Sequence, residues 1–266
     1  MEAPNYTLVN ISYIDLLIGL GLIFVAIGMS RWQRLMLERE FAIGALRTLI
    51  QLVAIGYILK YIFALDKWYV ILVTISVMIV IAAITVSRRQ VKQTKELPYL
   101  VGLALTTGSG ISVFLVTQVI LQIKPWYEPH YLIPLAGMVI GNSMNGATLA
   151  VERIDSDIRN KKSEIEAYLA LGATSKQAAS SCIKAAMKAS MIPTINSMMV
   201  VGIVSLPGIM TGQILSGISP HIAVMYQIII MYMIAFSVAS SSLILTHLRF
   251  RRYFTEDHQL IEEALY

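Results

Sequence analysis

WYVILVTISVMIVIAAITV at 68–86, followed at 87–95 by SRRQVKQTK, decides the fold. The first stretch carries no charged side chain and is close to the roughly 20 residues an α-helix needs to cross about 30 Å of hydrocarbon. The second stretch holds Arg88, Arg89, Lys92 and Lys95, the basic flank expected on the cytoplasmic side of a span. Its outer end begins Trp68-Tyr69, the amphipathic aromatics that settle at a membrane–water boundary.

The same alternation extends in both directions. Apolar blocks at about 12–30, 43–63, 99–123, 131–150, 191–216 and 221–247 bring the expected number of transmembrane helices to about seven. Composition agrees: 56% of the 266 residues are hydrophobic and only 14% charged, against about 25% charged in soluble domains. The fold class is therefore all-α, a polytopic integral membrane protein forming one transmembrane domain over 1–266. Membrane lipid is its main solvent. Of the 21 Lys and Arg residues, all but Lys60, Lys67, Lys124 and the intramembrane Arg47 fall in segments that share one side if the N-terminus lies outside. The positive-inside rule then predicts an N-out, C-in arrangement. The basic residues are read as topology markers, so no nucleic-acid partner is expected. The N-terminus lacks a basic n-region and a small-residue cleavage site, so the first span is expected to be retained. The single Cys182 leaves no intramolecular disulfide and reads as a small packing residue.

The longest polar interruption, 151–190, reads VERIDSDIRNKKSEIEAYLALGATSKQAASSCIKAAMKAS. Val151, Ile154, Ile158, Ile165 and Leu169 recur at helical spacing, so the fifth span is expected to continue as an amphipathic helix. Gly172 supplies a stop. Thr174 with Gln177 forms a capping-box pattern for a second helix carrying Lys176, Lys184 and Lys188. The residues alone describe a helical hairpin on the cytoplasmic side. Its spacing suits a docking element or a solvated connection equally well.

Glu166-Ala167 with Gly172 resembles the EA-x-x-x-x-G core of the coupling loop of ABC permeases, although the later Ile-x-Leu-Pro of that loop is not at its usual spacing. IPLAGMVIGNSMN (133–145), ALGATSKQA (170–178), VVGIVSLPGIMTG (200–212), GYILKYIF (56–63) and Arg47-x-x-x-Gln51 are similar to the FetB-type permease family over nearly the whole chain. That family comprises bacterial iron-export permeases and plant membrane subunits linked to aluminium tolerance. The resemblance implies a plasma-membrane (bacterial inner-membrane) permease, acting as a homodimer with a separate cytoplasmic ABC ATPase. It implies that Glu166, Ala167, Leu171, Gly172, Ala173 and Thr174 dock that ATPase. ATP and magnesium would be bound by the partner, and this chain would hold no cofactor of its own. No G-x-x-x-x-G-K-[ST] occurs, so any nucleotide must be bound elsewhere. A transported metal ion, iron first, is the implied cargo.

Polar groups at membrane depth are the candidates for the route, because an unpaired amide or charge must face protein or an aqueous cavity. Arg47 and Gln51 share one face of the second span. Arg47 either snorkels or lines the route, since a charge at the bilayer centre costs about 2.5–3.5 kcal/mol on insertion scales. Asn142 and Asn145, three apart, put their amides on one side of a helix, beside Met144. Gly137-x-x-x-Gly141 and Gly208-x-x-x-Gly212 read as close-packing faces. Asn196, Ser197 and Met198 precede Pro207, where the sixth span is expected to be kinked or broken. Broken helices expose backbone groups to ligands. Asp15 either reaches the outer interface or attracts a cation. Asp15, Met144 and Met199 are the metal-ligand candidates; most of the 14 methionines read as core filler. A self-contained secondary transporter or channel, and an ABC permease for a non-metal cargo such as a nucleotide-sugar, are the alternatives. Proton or sodium coupling usually leaves several intramembrane carboxylates, and Asp15 is the one candidate. H-E-x-x-H and G-x-S-x-G are absent, so an intramembrane enzyme is not expected.

Overall fold

The computed structural model describes residues 12–90 and 94–262; Lys92, one of the predicted topology markers, lies outside them. The described residues are predominantly helical, and their β-pairing is limited to isolated bridges joining Val201 to Ser205 and Phe254 to Leu260. The helices are α1 (Tyr13–Trp32), α2 (Glu38–Leu65), α3 (Trp68–Arg89), α4 (Leu97–Phe114), α5 (Pro129–Asn160), α6 (Lys162–Ala170), α7 (Ser175–Ala178), α8 (Ser180–Val200), α9 (Gly208–Leu215) and α10 (Pro220–Arg251). A wider π-helical turn, Leu115–Ile120, extends α4.

Among the described residues, five helical stretches are long and apolar enough to cross a membrane: Ile14–Trp32, Glu38–Leu65, Trp68–Arg89, Leu97–Ile120 and Pro220–Arg251. The other two expected spans take a different form. The block at 131–150 is the first part of α5, a 32-residue helix that its amides, hydroxyls and charged end make less apolar. The block at 191–216 is interrupted. Helix α8 ends at Val200, residues 201–207 form a turn with Gly202 at φ +84°, and α9 starts directly after Pro207. The expected break is present, and it begins several residues before the proline.

The chain separates into two compact units, Met1–Asp66 with Leu215–Gly217, and Lys67–Ile214 with Ile218–Tyr266. In the first, α1 packs on α2. Ser12 caps α1, its hydroxyl accepting the Asp15 N–H, while the Asp15 carboxylate accepts the Ser12 backbone and hydroxyl protons at 2.8 Å each. The α1–α2 turn places Arg34 and Met36 at positive φ, and the buried Ser30 hydroxyl accepts the Leu37 N–H at 3.2 Å. Apolar side chains such as Leu22, Phe24, Leu52 and Val53 point outward, as a lipid environment requires.

In the second unit α5 and α10 are central. Helix α10 packs against α4, α5 and α8, and α5 packs against α3, α4 and α8. Small residues permit these approaches. A Cβ on Gly108 would lie 2.2 Å from Ser241 Oγ and 2.7 Å from its backbone nitrogen. A Cβ on Gly146 would lie 2.7 Å from Val238 Cγ1. Ser237 donates to Ser109 at 3.2 Å and accepts from Ser143 at 2.7 Å, tying α4, α5 and α10 together, while Ser112 donates to the Met233 carbonyl at 2.8 Å. Such interhelical hydroxyl bonds replace the hydrophobic drive that lipid removes. The tight glycines are not the expected pairs. Gly137 approaches Met78 on α3, but Gly141, Gly208 and Gly212 have open space where a Cβ would go.

Candidate functional site

Helix α5 runs unbroken from Pro129 to Asn160, about 48 Å at 1.5 Å per residue. The amphipathic stretch expected to continue to Leu169 is interrupted at Lys161, where the backbone leaves helical angles before α6 begins. Helix α6 ends in a glycine turn. Gly172 sits at φ +88°, its N–H bonded to the Leu169 carbonyl, and the Ala173 N–H closes back to the Tyr168 carbonyl at 3.0 Å. These bonds occupy carbonyls that the end of a helix would leave free. Thr174 then caps α7 with a complete capping box, the Gln177 side chain accepting the Thr174 N–H at 2.9 Å. The sequence-predicted hairpin therefore forms with the expected stop and start. Ala167 is exposed and its carbonyl accepts the Leu171 N–H. Glu166 is exposed 3.7 Å from Lys162, and Leu171, at 85% exposure beside exposed Tyr168, projects an apolar tip from the turn.

The base of the hairpin is firmly held. Ile154, Ile158, Ile165, Ala178, Ala179, Cys182 and Ala186 form one core with Phe250, Tyr253 and Phe254. The tail after α10 folds back over it: Ile261 donates to the Tyr253 carbonyl, Ser175 and His258 are 3.0 Å apart, and Lys162 pairs with Glu262. That lysine holds the Glu262 carboxyl below its ordinary range. Burial raises the Cys182 thiol, which stays protonated as a packing residue. Beneath the tail, Arg249 grips Asp155 through two bonds of 2.8 and 2.7 Å and also reaches Thr94 and Tyr253. Burial, with the Asp155 charge behind it, pushes the Tyr253 phenol well above its usual range, so it stays neutral. Sequence reading used Arg249 only as a topology marker. Its partner Asp155 sits at the corresponding end of α5, and a pair of opposite charges flanking two spans was the available signal.

A cavity of 340 Å³ opens farther along α5, lined by Met138, Asn142 and Asn145 with parts of α8, α10 and the 201–207 break. Asn142, Asn145, Ser197 and Pro207 are brought together there, as are Ser190, Thr194, Ser205 and Gln227. The Asn142 amide nitrogen donates to the Met138 carbonyl at 2.8 Å, and Ser197 donates to the Pro193 carbonyl at 3.0 Å. Met144 is half-buried and Asn196 exposed, and neither lines this cavity. Met198 lines a neighbouring one, and Met199 points outward at 73% exposure. Arg47 and Gln51 are exposed on α2 in the first unit. The Asp15 carboxylate serves as a helix cap, and among the described residues no three His, Cys, Asp or Glu side chains come together. The cavity wall is thus neutral, offering amides, hydroxyls and thioethers. Gln227 escaped sequence reading, though a lone amide inside the apolar run 222–236 was visible.

Residues 13–254 match UPF0014, an uncharacterised protein family. A UPF0014 membrane protein of Synechocystis sp. is 41% identical over 257 residues, covering 97% of this chain and 99% of its own length. The probable iron export permease protein FetB of Escherichia coli is 34% identical, covering 96% of this chain and 97% of its own. Protein ALUMINUM SENSITIVE 3 of Arabidopsis thaliana is also 34% identical, covering 91% and 87%. No solved structure matches the chain.

Proposed function

The chain belongs to the UPF0014 family of multi-pass membrane proteins, and we propose on that footing that it is the membrane-spanning permease of an ABC-type transporter that exports iron or a related metal. The observation that carries the reading is a capped, exposed turn at Tyr168–Thr174, anchored on a helix that also lines the cavity. From Asn142 to Asn160 that helix extends about 27 Å. A push on the turn reaches the cavity through packed helix and not through flexible loop.

In this reading α5 and the interrupted α8–α9 complete seven spans, with the N-terminus outside and the hairpin in the cytoplasm of a bacterium. Two copies form the transport unit, and each docks one ATPase chain through Glu166, Ala167, Leu171, Gly172, Ala173 and Thr174. Closure of the ATPases on ATP moves α5 and α8, and the cavity alternates between the two sides. Metal cargo and outward direction follow the name of the Escherichia coli relative. The intramembrane break supplies backbone groups, and the neutral wall holds the ion loosely enough for release.

The test is co-purification of the chain with a Walker-motif ATPase, sought first among the products of neighbouring genes, for wild type, Glu166→Ala and Gly172→Ala. Loss of the ATPase from the variants, with the permease still folded, supports docking. Unchanged association together with unchanged metal efflux rules it out.

A further inference from the structure

Gln227 lies on α10 one turn before Met231, and both line two separate cavities. One is the 340 Å³ cavity beside Asn142 and Asn145. The other, of 470 Å³, is bounded by Met198, Gly202, Leu206 and Tyr232. Val201, the first residue past α8, also lines both. Val201, Gln227 and Met231 therefore form the wall that the cavities share, and Gln227 is its polar member.

The side chain is only 6% exposed, and its Oε1 has no hydrogen-bond partner among the described residues. Leaving a buried acceptor unpaired costs about 1–3 kcal/mol. A leucine would fill the same place without that cost, so the amide is better explained by something that visits it. Neither cavity is lined by a charged side chain. The oxygen itself lies beneath the surface of this neutral wall, and rotation of the side chain would present it to a partly dehydrated cation, which accepts amide and hydroxyl oxygens in place of water. The N-terminus of α9 also borders the 340 Å³ cavity through Gly208 and Ile209, and its dipole opposes a positive ion. The balance is brief, weak holding, as a pathway needs.

We infer that Gln227 is the selecting group for a metal cation as it passes between the two cavities, with Asn145 lining the α5 side of the 340 Å³ one. This rests on the permease reading, and the experiment separates the two. The full chain is reconstituted in liposomes with its ATPase, and efflux of Fe²⁺ or Mn²⁺ and metal-stimulated ATP hydrolysis are measured. Gln227→Leu is expected to lower both about tenfold or more while ATPase co-purification stays at the wild-type level. Gln227→Glu is expected to tighten the apparent metal affinity and make it pH-dependent, which a packing role would not produce. Wild-type metal stimulation in Gln227→Leu, or stimulation of the wild-type complex by inorganic phosphate and not by metal, overturns the assignment. If the wild-type chain associates with no ATPase, the permease reading fails instead; Gln227 is then tested by Fe²⁺ flux through the chain alone, where equal flux in wild type and Gln227→Leu overturns it.

Discussion

Asp155 and Arg249 form the pair on which the base of the bundle depends. Both are almost wholly buried, and their two parallel hydrogen bonds neutralise charges that neither lipid nor a dry core would accept. Removing one partner strands the other. Asp155→Ala is expected to destabilise the protein by about 3–5 kcal/mol, read as a lowered melting temperature in detergent, and Arg249→Ala should match it. Equal melting of variant and wild type would mean the pair is solvated. Gly108 makes a second prediction at this scale. Its added methyl would meet the backbone of Ser241, which cannot rotate away. Gly108→Ala should therefore cost about 1–3 kcal/mol by overpacking, whereas Gly141→Ala, with open space beside it, should melt as wild type. These contacts were not legible in the sequence. A small residue shows that close approach is possible but not which neighbour comes close.

The glycine turn that ends α6 and the cap that starts α7 were legible almost residue by residue, because stop and cap signals act over three or four positions. The break at Ala179 that divides the expected second helix into α7 and α8 was not. Nor were the interruption at Lys161 and the π-helical end of α4, since each is settled by packing rather than by a local signal. The same holds for the tail: nothing local in RFRRYF (249–254) marks Phe250, Tyr253 and Phe254 for burial, yet they complete the core under the hairpin. The break in the sixth span was visible through Pro207, while its true beginning at Val201 was not. The element itself predicts a separation of roles. Leu171 is exposed and touches no core, so Leu171→Asp should leave the melting temperature unchanged and abolish ATPase co-purification. Gly172→Ala should weaken ATPase co-purification and also lower stability by about 1 kcal/mol or more, because φ +88° strains any side chain there. A Leu171→Asp variant that keeps its ATPase would show that the apolar tip is not the docking element.

At the scale of the whole molecule, the proposed function makes the exposed turn, the long α5 and the neutral cavity one mechanical sequence. Membrane character was plain from hydropathy alone, and charge placement predicts which face is cytoplasmic. In the proposed transport reading, the uncharged oxygen donors of the cavity favour passage over storage. The central claim is that force applied at the turn moves metal at the cavity. The direct measurement is ATP-dependent Fe²⁺ efflux in liposomes holding the chain with its ATPase, compared between wild type and Leu171→Asp. The account predicts ATP-dependent efflux in the wild type and its loss in the variant, with the isolated variant still folded. Efflux that needs neither ATP nor the ATPase, or that survives Leu171→Asp undiminished, would contradict it.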